Sequence, residues 1–207
     1  MNEMILSCVP LRHGMTRGNQ MKTYVGRSTD EPLCEEGIEE LKTRRENGLC
    51  PAEWGTVVSS PMLRCRQTAF LLTGEEPARL VSGLEEIDFG SFEGHTWQEL
   101  SKEPDYCRWV ESGGTLPFPG GESREEFVRR TMTAFRQCIR AAAKEHTERT
   151  TVFCHGGSIM AIMSELTGGD YWSFQPKCGE GYEVILRITE ETIHVISYSG
   201  IPAGDPA

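Results

Sequence analysis

The chain has 207 residues, 38% of them hydrophobic and 25% charged, with a formal net charge of −10. Those values fit one soluble globular domain. No apolar run is long enough to cross a bilayer, and the acidic balance, with no long basic run against it, argues against nucleic acid or an anionic membrane as partner.

Residues 4–11 read as a first strand that ends at Arg12-His13. A polar loop is expected from there to Pro32. Residues 35–46 read as a helix closed by Asn47-Gly48. Thr56 to Ser59 reads as a short buried strand, after which Ser60 as cap and Pro61 at the first turn predict a helix to about Leu72. A strand is expected at 78–81. The stretch 88–121 is rich in Gly, Pro and aromatic residues and lacks a period, so it reads as an excursion over the sheet edge with a short helix near 96–111. Ser123 and Glu126 make a capping box for a helix over 123–145. Its buried face is expected to carry Val128, Met132, Phe135, Ile139 and Ala142. Residues 150–154 read as a buried strand and 157–166 as a buried helix. Residues 182–188 and 192–198 read as a hairpin, and 199–207 as a loose tail. Nothing in this pattern separates two domains.

The N-terminal residues Met1-Asn2-Glu3-Met4 have neither a basic nor an apolar segment, so a secretory signal is not expected and a cytoplasmic location is. Eight cysteines are present without a Cys-x-x-Cys pair. They read as reduced thiols, with Cys8, Cys65, Cys138 and Cys154 as small core residues.

Two His-Gly pairs carry the chemistry. Each follows an apolar run, where a strand hands over to a loop or helix and where open α/β sheets hold ligands. In Arg12-His13-Gly14, the arginine offers a planar fork for phosphate oxygens and the glycine allows close approach. In His155-Gly156-Gly157, a helix N-terminus supplies free amides to an anion. Arg64, in the first turn after Ser59-Ser60-Pro61, opposes its helix dipole, which a phosphate partner would explain, whereas Arg66 reads as solvent-facing. The run Glu85-Glu86-Ile87-Asp88 supplies acidic candidates, and spacing alone does not choose among Glu85, Glu86 and Asp88. His95, His146 and His194 are expected to have no chemical role.

Six ordered blocks between residues 4 and 198 resemble the histidine phosphatase superfamily, also called phosphoglycerate mutase-like. They are Arg12-His13-Gly14 with Thr16 and Asn19; Gly26 to Leu33 with Glu36-Gly37; Ser59-Ser60-Pro61 with Arg64, Gln67, Thr68 and Ala69; Leu84 and Glu86 with Gly90 and Glu93-Gly94; Pro119 to Ser123; and His155-Gly156-Gly157. The resemblance implies an α/β fold, a three-layer α/β/α sandwich with a mostly parallel central sheet and a lid excursion over the strand C-terminal ends. It implies His13 as phosphorylated nucleophile and Glu86 as general acid and base. Arg12, Asn19, Arg64, His155 and Gly156 would hold the phosphoryl group, and Thr16, Gly26, Arg27 and Trp97 are expected near substrate. Met15 and Gly18 depart from the residues usual at their positions. No metal and no cofactor is implied.

The expected activity is that of a phosphomonoesterase on a small phosphate ester. The chain is short and lacks a long basic insertion, which places a mutase second and a weak phosphate-binding scaffold third. The block 24–33 and the tryptophans at 97 and 109 look like bacterial members grouped with α-ribazole phosphatase, in which lid aromatics could stack on a planar base. The chain has no Gly-x-Ser-x-Gly turn, no P-loop Gly-Lys and no Cys followed six residues later by Arg, which sets aside an α/β-hydrolase, a P-loop enzyme and a cysteine phosphatase.

Overall fold

The computed structural model describes residues 3–201. Its strands are β1 (Met4–Arg12), β2 (Thr56–Ser59), β3 (Arg79–Leu80), β4 (Arg149–Cys154), β5 (Gly181–Ile188) and β6 (Ile193–Ile201). They form one sheet in the order β3-β2-β4-β1-β5-β6. β3, β2, β4 and β1 pair in parallel. β5 and β6 close the other side antiparallel.

Alternation along the strands gives the sheet two buried faces. Leu6 and Cys8 of β1 and Val152 and Cys154 of β4 face one way, into a cluster with α6 (Arg124–Lys144) and α7 (Gly156–Thr167). Val9, Leu11 and Phe153 face the other way, against α2 (Glu35–Glu46) and α3 (Leu63–Thr73). The result is the expected three-layer arrangement. α6 carries the capping box at Ser123 and Glu126. Met132, Phe135, Ile139 and Ala142 are buried on it as expected, and Val128 is partly buried.

Several elements differ from the sequence reading. The polar stretch after β1 contains α1 (Arg17–Met21), capped reciprocally by Thr16 and Asn19. Five residues are too few to show an apolar period. α3 starts at Leu63, with Met62 and not Ser60 as its N-cap. The Ser60 hydroxyl is engaged elsewhere, 2.9 Å from His155 Nε2. Arg66 is half-buried rather than solvent-facing. The strand expected at 78–81 forms only two ladder residues. β6 runs to Ile201, so residues 199–201 belong to the sheet and not to a tail, while 202–207 lie outside the described residues.

The excursion has its own packing. Its single expected helix is two, α4 (Trp97–Leu100) and α5 (Pro104–Glu111), with Pro104 opening the second. Phe92, Leu100 and Phe118 are buried there with Ile87, Phe127 of α6 and Ala161 of α7. No helix among the described residues is long and apolar enough to cross a membrane.

Phe135 is fully buried between α6 and the sheet. Phe135→Ala should lower unfolding stability by about 3–5 kcal/mol, as large-to-small changes in such cores do. Urea titration should show a lower midpoint with an unchanged slope.

Candidate active site

Strand register assembles the site. Arg12 pairs with Cys154 across β1 and β4, and Ser59 with Phe153 across β2 and β4. The next residues, His13, His155 and Ser60, therefore emerge side by side at one sheet edge. The His13 amide still donates to Cys154 O (3.0 Å), and the Ser60 amide to Phe153 O (2.8 Å). The imidazoles of His13 and His155 meet edge to face, with ring centroids 5.2 Å apart.

Both rings are buried, His13 at 4% exposure and His155 at 0%. Burial, and then the charges of Arg64 and Arg12, hold both well below their ordinary pKa. Both are neutral at pH 7. His13 Nδ1 lies 2.7 Å from Gly14 O, which can only accept, so Nδ1 carries the proton. Nε2 keeps its lone pair. His155 is fixed by Ser60 Oγ at 2.9 Å and Cys65 Sγ at 3.4 Å from its Nε2.

Two guanidiniums flank the rings. Arg64 is fully buried and donates from Nη1 to Thr29 O (2.8 Å) and from Nη2 to Gly26 O (3.2 Å). Arg12 donates from Nη1 to Pro176 O (2.8 Å). The Nε atoms of both arginines are buried without a hydrogen-bond partner among the described residues. Unpaired buried donors are costly, and an anion would satisfy both. Gly156 begins α7, and a Cβ there would stand 3.4 Å from Arg12 Cζ. That is ordinary contact distance, so the guanidinium lies directly against the start of α7.

Glu86 reaches the same helix end from the segment after β3. Its carboxylate accepts from the amides of Gly157 (3.1 Å) and Ile87 (3.0 Å). A Cβ on Gly157 would collide with Glu86 Oε1. Of the acidic candidates, Glu86 alone lines the cavity here. Glu85 instead accepts from the Gly83 amide (2.6 Å), and Asp88 from the Gly90 amide (2.9 Å).

The cavity has a volume of 330 Å³. Arg12, Asn19, Glu86, Gly156 and Gly157 line it, together with the aromatic side chains of Tyr24, Phe89, Trp109, Phe118, Tyr171 and Trp172. His13, Arg64 and His155 do not line it; the two histidines are buried next to Arg12 and Gly156, which do. A wider groove of 680 Å³ runs along α6, but no histidine or cysteine among the described residues lines it.

The remaining expected residues fall elsewhere. Thr16 is buried and caps α1 with Asn19, so its role is local. Gly26 holds Arg64 through its carbonyl. Arg27 is exposed outside the cavity lining. Trp97 is 53% exposed on α4 and also lies outside it. Trp109 packs on Phe118 and lines the cavity as well. The sequence reading missed the turn Tyr171–Phe174, which brings Tyr171 and Trp172 to the cavity. An aromatic cluster directly after the Gly168-Gly169 helix stop is the signal that was available. It also missed Arg124, which lines the cavity and stacks on Tyr171 at 5.6 Å.

The depressed histidine values have a measurable consequence. In a pH titration by NMR, the His13 and His155 ring signals should stay at neutral positions as the pH falls through 6.5, their ordinary value. The unfolded chain takes up those protons first, so this pair removes stability as the pH drops below that value. Titration of either ring near 6.5 would contradict the buried, uncharged pair.

Comparison with known proteins agrees with this geometry. The family profile of the histidine phosphatase superfamily (branch 1) matches residues 9–199. A metal-independent phosphoserine phosphatase of Arabidopsis thaliana is 31% identical over 169 residues, which are 79% of this chain and 69% of that one. A 2,3-bisphosphoglycerate-dependent phosphoglycerate mutase of Xanthobacter autotrophicus is 28% identical over 181 residues, 80% of this chain and 82% of that one. Among solved structures, the α-ribazole phosphatase of Shigella flexneri superposes with a TM-score of 0.75 at 21% identity, covering 98% of this chain and 100% of that one. With its sequence matched over nearly its whole length and its paired histidines at the sheet edge, the chain belongs to the histidine phosphatase superfamily, branch 1.

Proposed function

We propose that this protein is a metal-independent phosphomonoesterase that works through a phosphohistidine on His13. The observation that carries the reading is the pair of neutral imidazoles 5.2 Å apart, flanked by two buried guanidinium Nε donors that have no partner among the described residues. His13 Nε2 attacks phosphorus as the bond to the ester oxygen breaks. Glu86 gives that oxygen its proton. Water then attacks phosphorus, Glu86 takes back a proton, the N–P bond breaks, and inorganic phosphate leaves with His13 neutral again.

Charge in this transition state spreads over the equatorial oxygens. Arg12, Arg64, His155, Asn19 and the amides at the start of α7 are the donors for it, fixed before substrate arrives. Of these, the two guanidiniums supply the positive charge that a metal supplies in other phosphatases. Asn19 lines the cavity with its amide oxygen already bonded to Thr16, which leaves its NH₂ to donate.

For the substrate, the aromatic lining favours a small ester with a planar or apolar group. α-Ribazole 5′-phosphate is such an ester, and O-phosphoserine is the smaller candidate that the Arabidopsis relative suggests. Among the described residues, Arg12 and Arg124 are the only cations that line the cavity. That is few for the doubly phosphorylated or carboxylated acids of a mutase, so hydrolysis is favoured over transfer. The full set of nucleophile, acid and oxyanion donors disfavours a mere scaffold.

The test offers the protein p-nitrophenyl phosphate, α-ribazole 5′-phosphate, O-phosphoserine and 3-phosphoglycerate in excess EDTA. Hydrolysis should survive chelation, and His13→Ala should abolish it together with the acid-labile phosphoenzyme. Glu86→Gln should lower the rate on alkyl esters by about 10²–10⁴-fold. Activity lost in EDTA and restored by added magnesium, or a His13→Ala enzyme that still turns over, would overturn the scheme.

A further inference from the structure

The segment that carries Glu86 has no regular secondary structure. Residues 84–89 lie between a turn and the 3₁₀ turn at Gly90–Phe92. Without a ladder, something else must hold its backbone. Arg130, on α6, does so, and all five of its N–H groups are engaged, three on backbone carbonyls and two on Glu122. Nε and Nη2 grip the Glu122 carboxylate in bidentate fashion, at 2.9 and 2.7 Å. Nη1 donates to the carbonyls of Gly83 (3.0 Å) and Glu85 (3.1 Å), and Nη2 also to the carbonyl of Glu86 (3.3 Å).

Glu122 completes the grip from the other side. Its Oε2 accepts the Asp88 amide at 3.0 Å. One ion pair thus holds the Glu86 carbonyl directly and fixes the chain two residues on. Burial alone would raise the Glu122 carboxyl, and the bonds to Arg130 and Asp88 outweigh it, so its pKa lies below the ordinary value. Both side chains are only 18% exposed, so the pair is poorly screened and geometrically fixed. The Phe127 ring lies 5.2 Å under the Arg130 guanidinium and also packs beside Gly157, whose amide binds Glu86.

We infer that the Arg130–Glu122 pair is a positioning device for the Glu86 carboxylate, setting its distance to the leaving oxygen without touching substrate. The inference rests on the reading of Glu86 as the proton donor. A displacement of about 1 Å at a reacting group can cost on the order of 10²-fold in rate. In phosphoenzyme formation the loss should appear only where the leaving oxygen needs a proton; the later attack of water is common to all substrates.

The experiment compares Arg130→Met, Arg130→Lys and Glu122→Gln on two substrates. One is p-nitrophenyl phosphate, whose leaving group departs with little help. The other is the better of α-ribazole 5′-phosphate and O-phosphoserine, whose alkoxide needs the acid. Arg130→Met should lower the single-turnover rate of phosphoenzyme formation from the alkyl ester by about 10²-fold, with little change in that rate from p-nitrophenyl phosphate or in inhibition by inorganic phosphate. Glu122→Gln should show the same split more weakly, and Arg130→Lys should recover part of it. In a Glu86→Gln background, Arg130→Met should add no further loss on the alkyl ester. Equal losses in phosphoenzyme formation from both substrates, or full additivity with Glu86→Gln, would make the pair merely structural and overturn the inference. If Arg130→Met does not fold, the substrate split in Glu122→Gln and Arg130→Lys decides in the same way. A Glu86→Gln enzyme with undiminished alkyl-ester activity would instead reject the assignment of Glu86 itself.

Discussion

In a parallel ladder, strands paired in register finish level with one another. β1, β4 and β2 do so with Arg12 opposite Cys154 and Phe153 opposite Ser59. The paired histidines and Ser60 take their places from that alignment. His13, His155 and Ser60 are simply the next residues along three adjacent strands. A slip of one residue in any of them would turn the side chain to the other face of the sheet. The buried residues that alternate along β1 and β4 resist such a slip, because it would expose Leu6, Cys8, Val152 and Cys154 to the wrong layer. The hydrophobic core therefore sets the distance between two imidazoles that are far apart along the chain.

Electrostatics then sets what those imidazoles are. Burial beside Arg64 and Arg12 makes a second positive charge unfavourable, so both rings stay neutral. A neutral His13 with its Nδ1 proton on Gly14 O presents a lone pair at Nε2. Glu86 is placed by the same helix: its carboxyl accepts the Gly157 amide at the start of α7, which fixes where that side chain stands. Gly157 stands in the first turn of that helix because a side chain there would strike Glu86.

Much of this was legible in the sequence. Strand-to-helix crossings at residues 12–14, 59–64 and 154–157 placed His13, Arg64 and His155 at one edge, since period and capping signals are local. The boundaries of α2 and β2 and the capping of α6 follow from such signals. What stayed hidden depends on contacts between distant segments. Ser60 looked like a helix cap because local chemistry favours it, yet His155 claims its hydroxyl. The choice of Glu86 over its acidic neighbours is made by the Gly157 amide, 71 positions away. Trp97 and Trp109 are alike in sequence context, and only the packing of α5 against Phe118 brings Trp109 to the cavity. Composition gave no hint of the part played by Tyr171 and Trp172.

The order of the strands has a consequence for synthesis. β4 lies between β2 and β1, yet it is made long after both. Until residue 154 has left the ribosome, β1 and β2 each lack a neighbour and present an open edge. The nascent chain therefore passes through a stage in which β1 and β2 are available to other chains, a recognised route to aggregation. The topology that seats the histidines together also leaves those two edges open until β4 has been made.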